Sequence, residues 1–135
     1  MNRDAACEIL VRRYFTKADQ ALKTARLNCE AGDANGAINR LYYACFYALT
    51  AQMLAAGKQF IRHSAIRNAL NEHLVHAGIL AAELGRFYNR LFTDRNDADY
   101  EPMADFDLAD IQARLPVAEA FIATMKRLAK WEPDL

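Results

Sequence analysis

Between Arg40 and Lys58 the chain runs for 17 residues, Leu41 to Gly57, without a single charge. A segment of that kind must be covered on nearly every side, by lipid or by protein. It holds Thr50, Gln52 and three tyrosines, and it falls short of the roughly 20 apolar residues a membrane span requires. It is therefore expected to be a buried bundle helix, with no membrane association. Its apolar residues form two stripes. One is Ile38, Leu41, Cys45, Leu49 and Met53; the other is Tyr43, Phe46, Tyr47, Thr50 and Leu54. A helix apolar on two faces is enclosed by its own bundle or by a second subunit, so this is the expected dimer-forming element.

The rest of the chain repeats apolar residues at three- and four-residue steps, with no sustained two-residue alternation. A first helix is predicted from Asp4 to about Ala31, with Ile9, Leu10, Tyr14, Ala18, Ala21, Leu22 and Ala25 inward. Gly32 stops it and Asp33 caps the next, which runs from about Ala34 to Ala56 before Gly57. A shorter helix follows from His63 or Ser64 to His76, with the Ser64 hydroxyl serving its first amides. A fourth spans about Leu80 to Ala98, turning Leu84, Phe87, Tyr88, Leu91 and Phe92 inward until Glu101-Pro102 ends it. Asp107 caps the last, whose inward residues are Leu108, Ile111, Leu115, Ala118, Phe121, Ile122, Met125 and Leu128. Pro116 either kinks that helix or marks its true first turn. With 5 Gly and 3 Pro the chain is too poor in turn residues for a β-sandwich. The fold class is all-α: residues 1–135 form one domain, an up-down bundle of four long helices and one short one.

That topology brings distant segments together. If the short helix crosses one end, the start of the second helix (Asn39, Arg40, Tyr43) shares a rim with the finish of the fourth (Arg95, Asp99, Tyr100). Arg95-Asn96-Asp97-Ala98-Asp99-Tyr100 packs a guanidinium, two carboxylates and a phenol into about one and a half turns, with Arg95 facing Asp99. Two readings fit. An arginine at a helix end can hold a phosphate bidentately while a phenol donates to it or receives a transferred group. The same residues can also close a helix with a surface ion pair, Tyr100 packing over the loop.

Charge narrows the partners. Lys and Arg number 17, as do Asp and Glu, which excludes blanket attraction to phosphate backbones or acidic membranes but permits a local patch. Twelve of the basic residues are arginine, favouring planar phosphate or carboxylate recognition. Arg86 and Arg90 continue the Arg95 side of the fourth helix, most simply as a solvated face. Six acids and no base lie from Asn96 to Ala113, a surface suited to a basic partner protein. Pro102 and Leu108 stand where a calcium loop needs its glycine and its bidentate glutamate, so calcium is not expected. His73 and His76 lack a third ligand, and no Walker loop, nucleophile elbow or dinucleotide fingerprint occurs. No metal or cofactor is expected. Cys7, Cys29 and Cys45 make no CxxC pair, and Met1 to Glu8 carries acids without an apolar core, which points to a reduced, cytoplasmic protein.

Three segments carry a family resemblance. Asn39-Arg40-Leu41-Tyr42-Tyr43-Ala44-Cys45-Phe46-Tyr47-Ala48 resembles the "SRAYYAAFHA" signature of the prokaryotic HEPN (higher eukaryotes and prokaryotes nucleotide-binding) domain. Arg62-His63-Ser64 and Leu91 through Tyr100 resemble the "K-x-H-S" and "LY-x-x-R-x-x-ADY" motifs of one branch. The likeness covers roughly residues 8 to 130. It implies a dimerising helical bundle with its functional cleft at the dimer interface. Many HEPN proteins are metal-independent ribonucleases and toxins, commonly encoded beside a minimal nucleotidyltransferase that acts as antitoxin. The ribonuclease members follow their arginine, four to six residues on, with a histidine. Here no histidine occurs beyond His76, and Asp99 stands near the expected place. An aspartate ionised at neutral pH is a weak base and no acid.

The leading expectation is thus a homodimeric nucleotide- or partner-binding subunit of a toxin–antitoxin-like module with a minimal nucleotidyltransferase. Asn39, Arg40, Tyr43, Arg95, Asp99 and Tyr100 would form its binding rim, and Tyr100 would accept a nucleotidyl group. One alternative is a ribonuclease toxin acting on RNA through Arg95, Asp99 and Tyr100; another is a structural helical adaptor without a ligand.

Overall fold

The computed structural model describes residues 5–59 and 62–131, and among these it contains five helices and no strand. They are α1 (Ala5–Glu30), α2 (Ala34–Ala55), α3 (His63–Ala69), α4 (Ala82–Tyr100) and α5 (Leu108–Leu128). The Asp4 start expected for α1 lies outside the described residues. α3 runs on into a π-helical segment, Leu70–Val75, before the chain turns at Gly78. α2 packs against α1, α4 and α5, and α1 also meets α5. The uncharged run is therefore the axis of an all-α bundle. None of the described helices is long and apolar enough to cross a membrane.

The first stripe of α2 is wholly buried, from Ile38 through Leu41, Cys45 and Leu49 to Met53. The second, Tyr43 through Leu54, is only half-buried; the other closely packed face is made of Ala37, Ala44, Ala48 and Ala51. Small residues there allow neighbouring backbones to approach, while the larger tyrosines and Phe46 stay toward the edge. On α1 the expected inward face shifts. Ile9 and Leu10 are exposed, and the buried stripe is Val11, Phe15, Ala18, Leu22, Ala25 and Cys29. Those residues step by three or four from Val11, whereas Ile9 and Leu10 lie 100° to 200° round the helix from that line.

Local chemistry explains the helix ends. Gly32 takes φ +77°, the left-handed conformation that stops α1. Asp33 then accepts a hydrogen bond from the Gly36 amide at 2.9 Å and starts α2. Asp107 does the same for α5 through the Ala109 amide at 3.2 Å. Ser64 does not cap α3: the helix begins one residue earlier, at His63, behind an extended Arg62 with no side-chain cap. His63 is drawn into the aromatic packing described below. α4 continues to Tyr100, and extended backbone at Glu101, required by Pro102, ends it. Pro116 lies well inside α5. Both it and Gln112, whose carbonyl loses its partner, are exposed, so water can replace the missing bond.

Candidate functional site

At one end of the bundle the start of α2 meets the end of α4. Arg95 leaves α4 and lays its guanidinium against α2, 5.1 Å from the ring centre of Tyr42 and 5.3 Å from that of Tyr43. Its Nη2 donates to the Tyr43 hydroxyl at 2.7 Å and its Nη1 to Asn96 Oδ1 at 2.7 Å. Nε lies 3.5 Å from Asp99 Oδ2, an ion-pair contact, and makes no hydrogen bond. Asp99 in turn accepts from Asn39 Nδ2 at 3.3 and 3.4 Å, and Asn39 Oδ1 accepts from Arg40 Nε and Nη2 at 3.0 and 2.8 Å. Arg40 closes the circuit by resting 5.1 Å over Tyr43.

Five of the six rim residues named from the sequence, Asn39, Arg40, Tyr43, Arg95 and Asp99, thus touch one another in a single network. Tyr100 does not join it: the last residue of α4 is 76% exposed. It neither packs over the loop nor reaches the arginine.

Burial works against the charge of Arg95, but the Tyr43 hydroxyl, the Tyr42 oxygen and Asp99 outweigh it, and its pKa is raised. The guanidinium is a permanent cation. Among the described residues its one carboxylate partner is Asp99, which is shared with Asn39. Phosphate and carboxylate oxygens are the groups such a fork recognises.

One residue of this region was not singled out from the sequence as part of the site. His63, the first residue of α3, stacks on Phe46 with ring centres 4.1 Å apart and places Nδ1 3.0 Å from the Tyr42 hydroxyl. Burial, and next the Arg95 cation, lower its pKa, so the imidazole is neutral at pH 7. Burial pushes the Tyr42 phenol up to about 12, and a phenol that stays protonated can donate to Nδ1 and leave the imidazole hydrogen on Nε2. The signal for His63 was the Arg62-His63-Ser64 motif. It was read as a helix cap because the residues that surround His63 come from 17 to 32 positions away along the chain.

The remaining candidates resolve differently. Arg90 is not simply a solvated cation, because it pairs with Asp94 and Asp110 at 3.7 and 3.2 Å. Arg114, 5% exposed, lies between the same carboxylates at 2.7 and 3.1 Å. Part of the acid-rich segment is therefore neutralised within the molecule. Among the described residues no three His, Cys, Asp or Glu side chains cluster as metal ligands.

Comparison with known proteins gives this geometry a context. The family model described as HEPN domain matches residues 11–128. A UPF0332 protein of Thermotoga maritima is 33% identical over 121 residues, covering 90% of this chain and 92% of that one. A second UPF0332 protein, from Gloeobacter violaceus, is 33% identical over 70 residues, or 52% and 56% of the two chains. A Methanocaldococcus jannaschii protein named "Putative toxin MJ0142" is 21% identical over 127 residues, covering 89% and 86%.

Proposed function

The chain belongs to the HEPN domain family, and from that premise we propose that it is a cytoplasmic, homodimeric binding subunit of a toxin–antitoxin-like module. Its partner is a minimal nucleotidyltransferase encoded nearby, and its ligand-facing rim is Asn39, Arg40, Tyr43, Arg95, Asp99 and Tyr100. The observation that carries this reading is the Arg95 clamp: a permanent cation held against two tyrosine rings at the edge of the bundle, with one shared carboxylate. The M. jannaschii relative's name supports the toxin half of the module. The half-buried stripe Tyr43, Phe46 and Tyr47 supports a second copy as its cover.

Tyr100 has the exposure that a modified residue needs. Its phenolic oxygen attacks the α-phosphorus of a nucleoside triphosphate held by the partner; the phosphorus–oxygen bond to pyrophosphate breaks, and the phenolic proton goes to solvent. Co-expression with the neighbouring nucleotidyltransferase tests the whole reading. A stable complex is expected, with one nucleotidyl group on Tyr100 by mass spectrometry and none on Tyr100→Phe. A chain that never co-purifies with that partner and stays unmodified defeats it.

A second reading gains one specific observation. A ribonuclease needs a group that accepts a proton from a ribose 2′-hydroxyl, and His63 places a neutral imidazole in the same aromatic cluster as Arg95. RNA cleavage in the presence of a chelator, lost in both Arg95→Ala and His63→Ala, is the result that would favour it. The binding-subunit reading is preferred because the imidazole is stacked on Phe46 with its Nδ1 already engaged by the Tyr42 hydroxyl.

A further inference from the structure

The far end of α2 is built differently from the end that carries the rim. Gly57 takes φ +81°; its amide donates to the Leu54 carbonyl at 3.0 Å, and the Lys58 amide donates to the Met53 carbonyl at 2.8 Å. This pair of bonds folds the chain back over the last turn of the helix. In such a turn the residue at the Lys58 place commonly lays an apolar side chain against the residue at the Met53 place. Here that residue is a lysine. Lys58 is half-buried, yet no carboxylate among the described residues pairs with it, whereas Arg26, Arg90 and Lys126 are each held by one.

Lys58 borders a hollow of about 200 Å³ bounded by α1, α2 and α3. Buried Met53 and Ile66 form its floor, and Leu10 and Leu54 add apolar walls. The hollow accounts for Leu10, which the sequence pattern turns inward and the structure leaves exposed: its side chain lines this recess. Tyr14, Thr50 and Gln59 contribute polar groups. The Thr50 hydroxyl spends its hydrogen on the Phe46 carbonyl at 2.8 Å. The Tyr14 phenol and the Gln59 amide hold no hydrogen bond to another described residue.

We propose that this hollow binds a small monocarboxylate with an apolar body of about eight carbons, scaled from the roughly 150 Å³ apolar cavity that takes up benzene. The hydrocarbon covers Met53, Ile66 and the leucines, while the carboxylate pairs with the Lys58 ammonium and accepts from the phenol and the amide. A neutral apolar molecule would leave the half-buried ammonium without a counter-charge, and a cation would repel it. A helix or strand of another protein is too large for the space. The site is separate from the rim, because Tyr43 and Leu54 lie about 16 Å apart along α2, and it does not depend on the rim reading. It does bear on α3. Ile66 stands one turn from His63 on that helix, so a ligand seated against Ile66 holds the element that brings His63 to Tyr42 and Phe46.

Sodium octanoate titrated into the 15N-labelled full chain, followed by amide chemical shifts, tests the proposal. Saturable shifts grouped on Leu10, Tyr14, Met53, Lys58 and Ile66 are expected, with a dissociation constant of about 1 mM or tighter and a higher thermal midpoint at saturation. Lys58→Ala should weaken binding at least about fivefold. Lys23→Ala removes an exposed cation elsewhere on α1 and should change it less than about twofold. Thr50→Phe fills the hollow and should abolish binding; thermal melts show which variants are folded, and if this one is not, Lys58→Ala decides alone. Octylammonium, with the same body and the opposite charge, should bind at least about tenfold more weakly. No saturable shifts, shifts centred on Arg95, or unchanged affinity in Lys58→Ala each overturn the site. Equal binding of octylammonium overturns its assignment to a carboxylate.

Discussion

Asp94 and Arg95 are neighbours on α4, and they face opposite kinds of surroundings. Asp94 turns toward α5, where the Arg114 guanidinium meets it at 2.7 Å and Asp110 at 3.1 Å, with Arg90 bridging both acids from outside. Arg95 turns toward α2, where two phenol rings, one hydroxyl and a shared carboxylate hold it. In the first cluster two acids and two bases neutralise one another around a buried cation. In the second a permanent cation is kept mostly by aromatic faces, which stabilise it without consuming its charge. The first arrangement pins helices together. The second leaves a cation at the bundle edge with one shared carboxylate among the described residues.

The comparison can be broken most sharply at Arg114. Arg114→Ala leaves Asp94 and Asp110 facing each other with only Arg90 to share, and should cost about 2–4 kcal/mol, less than a fully buried pair because Asp110 is half-exposed. Urea denaturation reads it; a loss under about 1 kcal/mol would show that Arg114 is no structural tie. Arg95→Ala should cost less stability, about 1–2 kcal/mol, yet remove partner capture entirely. If its only effect is on the urea midpoint, the two clusters are of one kind.

Smaller effects sharpen the contrast. Tyr43→Phe deletes the 2.7 Å contact with Arg95 while keeping the ring, and should cost about 1 kcal/mol in the same denaturation experiment. The pH dependence should come from the aromatic side. The His63 pKa is lower in the folded state than in the unfolded chain, so its contribution is fully present above the unfolded value of about 6.5 and is lost as pH falls toward the folded one. Thermal melts at pH 7.5 and pH 5.5 should therefore show a lower midpoint at the acid pH, and His63→Gln should shrink that difference. A midpoint that rises on acidification would contradict the surroundings described for His63.

Much of this was legible in the chain itself. The stops at Gly32 and Glu101-Pro102 and the caps at Asp33 and Asp107 rest on local geometry that each residue type carries with it. The buried stripe of α2 could be read because its period was unbroken. α1 was misread at Ile9 and Leu10 because a helix with apolar residues on adjoining faces does not say which face a neighbour will cover. The rim was reached through topology, since helix lengths place the start of α2 beside the end of α4.

The sequence by itself determined a helical bundle built round an uncharged axis, and it located the arginine at the end of α4. Only the tertiary structure decided which charges are spent. Net charge is a sum over residues, but whether a cation is neutralised depends on which carboxylate lies within about 4 Å of it, and that is a property of packing. Packing joined Arg114 to two acids, left Tyr100 in solvent, and brought His63 into the cluster beside Arg95.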